Sequence, residues 1–292
     1  MMAAANNIAI IVFPHSTERI AAAIADSLAK GVNESGQTSA DESSNISVTN
    51  INITPHAKRE ASLTFGADDI VIVGTPTYAG RVPNKIMPYF RDGIKGSNTL
   101  AVILVTYGNR AYDDSMKELS ELMTNNGFIV IAAAAFVCQH SFTSKLATGR
   151  PDEEDIKKAS DFGISVSRSF LDSDGNIDDL KLDLSSVPGR TIAETEYYKP
   201  VKTDGKPAAF LKAMPKTDAS KCNHCGKCSI VCPMNCFAND CLTPEGTCIK
   251  CMACIADCPN NAKFFTDEDL AGHRKMLEDN FANVHREPEF YI

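Results

Sequence analysis

Eight cysteines near the C-terminal end of the chain fall into two runs of one spacing. Cys222, Cys225, Cys228 and Cys232 form C-x2-C-x2-C-x3-C followed by Pro233, and Cys248, Cys251, Cys254 and Cys258 repeat it, followed by Pro259. Each cysteine of the second run follows its counterpart at a constant interval, so the segment is an internal duplication. Three thiolates at two-residue gaps let one short loop offer ligands to three irons of a 4Fe–4S cube, while the cysteine beside proline reaches the other cube. The expected ligand sets are Cys222, Cys225, Cys228 and Cys258 for one cube, and Cys248, Cys251, Cys254 and Cys232 for the other. Structural zinc is the bland alternative. It pairs one C-x2-C with a distant second pair and has no use for the third thiolate of the triple. One-electron transfer is the chemistry such cubes supply.

Of the eleven cysteines, only Cys138 lies outside this segment, in an apolar run where a buried thiol is ordinary. Cys236 and Cys241 are left over. Eight thiolates satisfy two cubes, so both are expected as small packing residues rather than ligands. The 292 residues, 43% apolar and 23% charged, suit a medium domain plus a smaller one. A net charge of −8 argues against nucleic acid or an anionic membrane as partner. No apolar run approaches the roughly 20 residues of a membrane-spanning helix. Met1 to Asn7 has no basic region leading into an apolar core, so no secretory signal is expected. A cytoplasmic location, where thiols stay reduced, is the expectation.

The elements that must position this chemistry begin with Asn7–Phe13, an apolar run suited to a buried parallel strand. Ser16–Lys30 places Ile20, Ile24 and Leu28 at helical spacing, with Ser16 or Thr17 available as N-cap. The polar stretch Asn33–Asn45 reads as a surface loop, and Ile46–Ile53 alternates like an edge strand. Asp69–Thr75 and Thr99–Thr106 are buried-strand runs with a helix, Pro83–Asp92, between them. Tyr112–Asn125 is a helix with Asp113 and Asp114 in its first turn. Phe128–Val137 is a fifth strand, and Pro151–Leu171 a helix opened by proline and the acidic run Asp152–Asp155. Such alternation predicts an α/β doubly wound, five-stranded parallel sheet of flavodoxin-like order 2-1-3-4-5, followed by a small α+β cluster domain. The expected limits are 1–171 for the sheet domain, 172–215 for a connector and 216–265 for the cluster domain. Residues 266–292 then form a C-terminal helix and tail, with Thr266 and Asp269 as a capping pair. A connector of that length should drape over one or both domains.

In a sheet of this order, ligands sit past the C-terminal strand ends, beside the switch between strands one and three. The loops Pro14–Arg19, Thr75–Val82 and Tyr107–Tyr112 emerge there. Tyr78 and Tyr107, on adjacent loops, suit a sandwich around an isoalloxazine ring. At Val73–Pro83, Thr106–Arg110, Ala133–His140 with Ser141 and Phe142, and Arg286–Phe290, the chain resembles the flavodoxin–ferredoxin fusion proteins of anaerobic microbes. The resemblance covers nearly the whole chain. It implies an FMN-binding domain joined to a bacterial-type ferredoxin domain with two 4Fe–4S clusters. Carried over by position, Tyr78 and Tyr107 would flank the flavin, while Thr75, Thr77, Gly80, Gly108 and Asn109 would line its rim. The departure is the phosphate loop. Pro14-His15-Ser16-Thr17-Glu18-Arg19 has no glycine, and Pro14 has no amide proton to donate. Ser16, Thr17, the helix-start amides and His15 or Arg19 remain as phosphate donors. Ser16 or Thr17 would equally cap the helix with no ligand present, so retention of FMN hangs on this loop. His140 matches the family pattern. Arg81 and Arg110 are either solvated loop charges or contacts to phosphate or to a partner's carboxylates.

Neither half offers a nucleophile, a catalytic triad or paired carboxylates, so no catalytic residue is assigned. The expected function is passage of electrons between FMN and two low-potential 4Fe–4S clusters, with redox proteins as partners and a homodimer left open. Two alternatives are an FMN-dependent reductase of a small substrate fed through the clusters, and a ferredoxin whose flavodoxin-like domain lacks FMN and serves docking.

Overall fold

A computed structural model of the chain describes residues 7–13, 15–34, 46–174, 176–237 and 240–292. The N-terminal stretch before Asn7, Pro14 of the phosphate loop, and the 35–45 part of the surface loop expected from Asn33 lie outside the described residues. Strands and helices alternate as β1 (Asn7–Val12), α1 (Ser16–Glu34), β2 (Ser47–Asn52), β3 (Leu63–Phe65), β4 (Asp69–Pro76), α2 (Met87–Asp92) and β5 (Ile94–Gly96). They continue through β6 (Thr99–Tyr107), α3 (Ser115–Asn125), β7 (Phe128–Val137) and α4 (Glu153–Asp172). Five parallel strands take the order β2-β1-β4-β6-β7, the flavodoxin-like order 2-1-3-4-5. Every residue of β6 is buried, as a central strand covered on both faces must be. One face packs against α1 and α4 through Ile20, Ile24, Leu28, Phe162 and Val166. The other packs against α2 and α3 through Phe90, Met116, Leu119 and Met123. Exposed β2 forms one edge of the sheet.

The structure departs from the sequence reading at several places. Pro83–Ile86 forms a turn, and α2 starts only at Met87. Asp113 takes a left-handed backbone and Asp114 precedes α3 instead of sitting in its first turn. The Asp114 carboxylate accepts from the Arg190 backbone and guanidinium and from the Thr195 hydroxyl, which ties down the connector. β3 and β5 form a small parallel pair that the sequence analysis does not anticipate.

Among its described residues the connector holds one short helix, α5 (Ile177–Leu180), and drapes over the sheet domain. Leu182 and Val187 enter the core, the Leu182 amide donates to the Val130 carbonyl, and the Tyr198 amide donates to the Ala79 carbonyl. The cysteine segment contains β8 (Lys216–Thr217), α6 (Lys227–Ile230), α7 (Ala253–Ala256) and β9 (Lys263–Phe264). Next comes α8 (Glu268–Phe281), capped by Asp267 accepting from the Leu270 amide rather than by the expected pair. The tail then returns to the first sheet. β10 (Glu289–Tyr291) pairs antiparallel with β7 and adds a sixth strand to the five expected. Phe290 stacks on Phe162 at 5.1 Å and meets Phe136 edge-on at 5.6 Å. Among the described residues, no helix is long and apolar enough to cross a membrane.

Candidate functional site

Each half of the cysteine repeat is a loop, a single helical turn and a Cys-Pro exit, and the antiparallel pair β8–β9 joins their outer ends. Left-handed backbone recurs at matching positions of the two halves: His224 and Lys250, Gly226 and Met252, Asn235 and Asn261. Gly226 meets that geometry without a Cβ clash, whereas Met252 meets it at a cost. These bends turn the thiols inward. Cys222, Cys225 and Cys228 line a small cavity together with Cys258 from the other half. Cys248, Cys251 and Cys254 line a second together with Cys232. No cysteine is in a disulfide. Four converging thiols per cavity, three from one loop and one crossing over, are a donor set that fits a 4Fe–4S cube. Backbone amides aim at the sulfurs as well. Cys236 N–H donates to Cys232 Sγ at 3.2 Å, Ala262 N–H to Cys258 Sγ at 3.2 Å, and Lys250 N–H to Cys248 Sγ at 3.3 Å.

The second cavity abuts the C-terminal edge of the sheet. Met234, beside Cys232 and Pro233, packs against the core of the sheet domain. Arg59 donates to the Pro233 carbonyl and, at 2.6 Å each, to the carbonyls of Ile53 and Thr54. His15, at the start of α1, lies 3.4 Å from the Asp257 carboxylate. Tyr78 stands at the end of β4. Burial first, and then the neighbouring Cys251 and Cys248, hold its phenol well above the ordinary tyrosine range.

The flavin rim expected from the sequence is distributed differently. The Thr17 and Thr106 hydroxyls share a bond of 2.8 Å, and those of Thr77 and Ser115 one of 2.7 Å. Thr75 is fully buried, its hydroxyl donating to the Pro76 carbonyl. Gly80 takes φ +79° in the tight turn Tyr78–Arg81, and a Cβ there would run into Asp113. A Cβ on Gly108 would meet the His140 ring. The Asn109 amide donates at 2.9 Å to the carbonyls of both Phe281 and Val284, which anchors the segment after α8. Tyr107 belongs to the core: only 4% exposed, it meets Tyr112 edge-on at 5.3 Å. Burial pushes its phenol up to about 12. The expected Tyr78–Tyr107 sandwich is therefore not formed, because β6 turns the Tyr107 ring into the sheet's own packing. What these loops keep for a phosphate-bearing flat ligand is the Tyr78 edge and the first turn of α1. That turn carries amides without intrahelical partners, while the Ser16 hydroxyl is bonded to the buried Cys138 thiol.

Both halves of the repeat match iron–sulfur family models. Residues 215–238 and residues 245–262 each match a family described as a 4Fe-4S binding domain. Two 4Fe–4S clusters are therefore the cofactors of this segment. Among solved structures, the chain is similar to a flavodoxin from the domain Archaea at 13% identity, covering 56% of this chain and 96% of that one, with a TM-score of 0.37. It is similar to the flavodoxin of Streptococcus pneumonia TIGR4 at 18% identity, covering 54% and 94%, with a TM-score of 0.33. For the Flv1 flavodiiron core from Synechocystis sp. PCC6803 the identity is 19%, the shares 59% and 37%, and the TM-score 0.37. Scores this low carry no weight, and the fold assignment rests on strand order. A search of curated proteins returned no match.

Several residues around the 4Fe–4S segment escaped the sequence reading. Lys263 is buried and lines the first cavity, its ammonium 2.6 Å from the Thr217 hydroxyl and 3.8 Å from the centroid of the Phe237 ring. Lys250 is buried beside the second, donating to the Cys248 carbonyl at 2.9 Å; burial lowers its pKa. Lys250 fills a variable position of the C-x2-C spacing and Lys263 lies beyond it, so the motif marks neither. Cys236 occupies the repeat position of Ala262, and both are buried; its thiol lines the second cavity beside Cys232 and Cys248 and lies 3.3 Å from the Thr247 carbonyl. Cys138 is buried as expected, which pushes its thiol up to about 12. Arg81 pairs with buried Glu118 beneath the Tyr197 ring, and Arg110 pairs with Asp113 against the Tyr198 ring, so both serve the connector. Phe142 N–H donates to His140 Nδ1 at 3.0 Å, and burial lowers the His140 pKa to about 4.

Proposed function

We propose that this chain is an electron-transfer flavo-iron–sulfur protein whose second cube exchanges electrons with a flavin bound at the sheet edge. On this reading Cys222, Cys225, Cys228 and Cys258 ligate the first cube, and Cys248, Cys251, Cys254 and Cys232 ligate the second. The observation that supports it most is the packing of Met234, close to Cys232, on the core of the sheet domain, with Arg59 joining the Pro233 carbonyl to the carbonyls of Ile53 and Thr54 just past β2. Sheets of this order bind ligands past the C-terminal ends of their strands. FMN, when bound, takes up electrons in pairs and releases them singly, which suits cubes that carry one at a time.

The chain's own residues have separable roles. Ser16, Thr17 and the first amides of α1 hold the phosphate end. Thr75, Thr77, Gly80 and Gly108 shape the rim by bracing its loops, and Tyr78 faces the ring. Tyr107 and Asn109 act from behind, through the core and the C-terminal segment. Arg59 and Met234 keep the second cube against the edge, and the His15–Asp257 contact ties the chain between Cys254 and Cys258 to the start of α1. The working units are the sheet domain 1–171, the connector 172–215, the cluster domain 216–265 and the segment 266–292, whose last strand belongs to the first sheet. Redox proteins are the partners this chemistry calls for.

The test is anaerobic purification followed by iron analysis and flavin release. The proposal expects about one FMN and about eight irons per chain, from two cubes of four. Iron without flavin would favour a second reading, in which the sheet domain is a docking platform for the clusters. One observation supports that alternative: Thr17, Thr77 and Asn109 already spend their side-chain hydrogen bonds within the chain.

A further inference from the structure

The first cavity contains one thiol more than a cube uses. Cys241 lines it together with Cys222, Cys225, Cys228 and Cys258. Its Sγ lies 3.9 Å from Cys222 Sγ. Two thiolates bonded to one tetrahedral metal ion at about 2.3 Å stand about 3.8 Å apart. Thiolates on different corners of a cube are farther apart, because the cube's own edge separates their irons. Cys241 is therefore placed at the corner that Cys222 serves, not at a position of its own. His224 Nδ1 lies 3.4 Å from the same sulfur and orients it, and the donor atoms of Cys222, His224 and Cys241 all fall within 4.8 Å of one another. The duplication does not demand this thiol. Its counterpart in the second half is Asp267, a helix cap, and the second cavity's extra cysteine occupies an alanine position.

We propose that Cys241 is a reserve ligand of the first cube, taking over the iron held by Cys222. In the exchange an Fe–S bond to Cys241 forms as the Fe–S bond to Cys222 breaks. Cys241 releases its thiol proton to solvent and Cys222 takes one up, so the charge of the cube and the oxidation states of its irons do not change. The exchange keeps the cube in place when Cys222 lets go. With Cys225 exposed, where the cysteines of the second cavity are at most partly so, this is the more vulnerable cavity.

The proposal rests on the two-cube reading, which the wild-type iron count tests separately. Four variants, Cys222→Ala, Cys241→Ala, the double variant and Cys225→Ala, are purified anaerobically and compared by iron content and by paramagnetic resonance of the reduced protein. Wild type should hold about eight irons, from two cubes of four. Cys222→Ala should keep about eight, with the first-cube signal altered in shape and the second unchanged. Cys241→Ala should also keep about eight, because a reserve is dispensable. The double variant and Cys225→Ala, with no spare thiol, should fall to about four and retain the second-cube signal. A cube lost from Cys222→Ala or from Cys241→Ala alone overturns the proposal, and so does a full iron complement in the double variant. A wild-type protein without iron would remove the cubes, and the proposal with them.

Discussion

The two cluster cavities are built from one repeated spacing, yet they face different surroundings. The second is pressed against the sheet domain by Met234 and Arg59. The first contains the exposed Cys225 and carries the exposed His224 on its rim. Their nearest buried cations also differ in source, Lys263 from β9 and Lys250 from the loop between two ligands. Spacing alone therefore decides which thiols converge. Residues outside the motif decide which cavity is held against the sheet domain.

The largest effect expected is on folding when iron is withdrawn. The cluster domain has two-residue strands, one-turn helices and a small apolar cluster around Cys228, Cys236 and Phe237. Such a unit depends on metal for its stability. Chelation under reducing conditions should abolish amide exchange protection across 216–265 while β1, β4 and β6 stay protected. Retained protection in both regions would show a domain that folds without its cubes.

Removing Arg59 should separate the two cavities more finely. Its guanidinium serves three carbonyls, one of them across to Pro233, and hydrogen bonds from a charged group are worth on the order of 2 kcal/mol. Arg59→Ala should speed amide exchange around Pro233–Asn235 and leave Cys222–Lys227 unchanged. Equal loosening of both halves would mean that the sheet does not hold the second cavity in particular.

The smallest effects concern the lysines. Adding an electron makes a cube more negative, so a nearby cation favours the reduced form and raises the potential. Lys263→Met should lower the first cube's potential on the order of 60 mV, one tenfold step for a one-electron couple, with the second barely moved. Lys250→Met should do the converse. A redox titration in which either substitution moves both cubes equally would erase the distinction.

Much of this was legible in the residues. The cysteine spacing names its metal because no other common site uses three thiols at two-residue gaps. The strand order follows from apolar runs such as Asp69–Thr75 and Thr99–Thr106, whose burial on both faces requires helices above and below. The flavin rim was legible only in part. Tyr107 looks like a loop aromatic by position, but it closes a strand whose every residue is buried. Asn109 looks like a ligand donor, and its amide is taken by carbonyls of Phe281 and Val284, far away in sequence. β10 is too short to announce itself, and only its pairing with Ala133–Ala135 makes it a strand. Arg59 and Cys241 share that difficulty, since each acts on a partner that only the tertiary fold brings near.

The proposed electron path requires the second cube to stand at the ligand edge of the sheet. Tyr78→Ala tests this most directly, through a redox titration followed by paramagnetic resonance, with Cys225→Ala used to assign the two cubes' signals. The account predicts that the second cube's potential shifts while the first stays where it is in the unaltered protein. A shift of the first cube alone, or of neither, would contradict it.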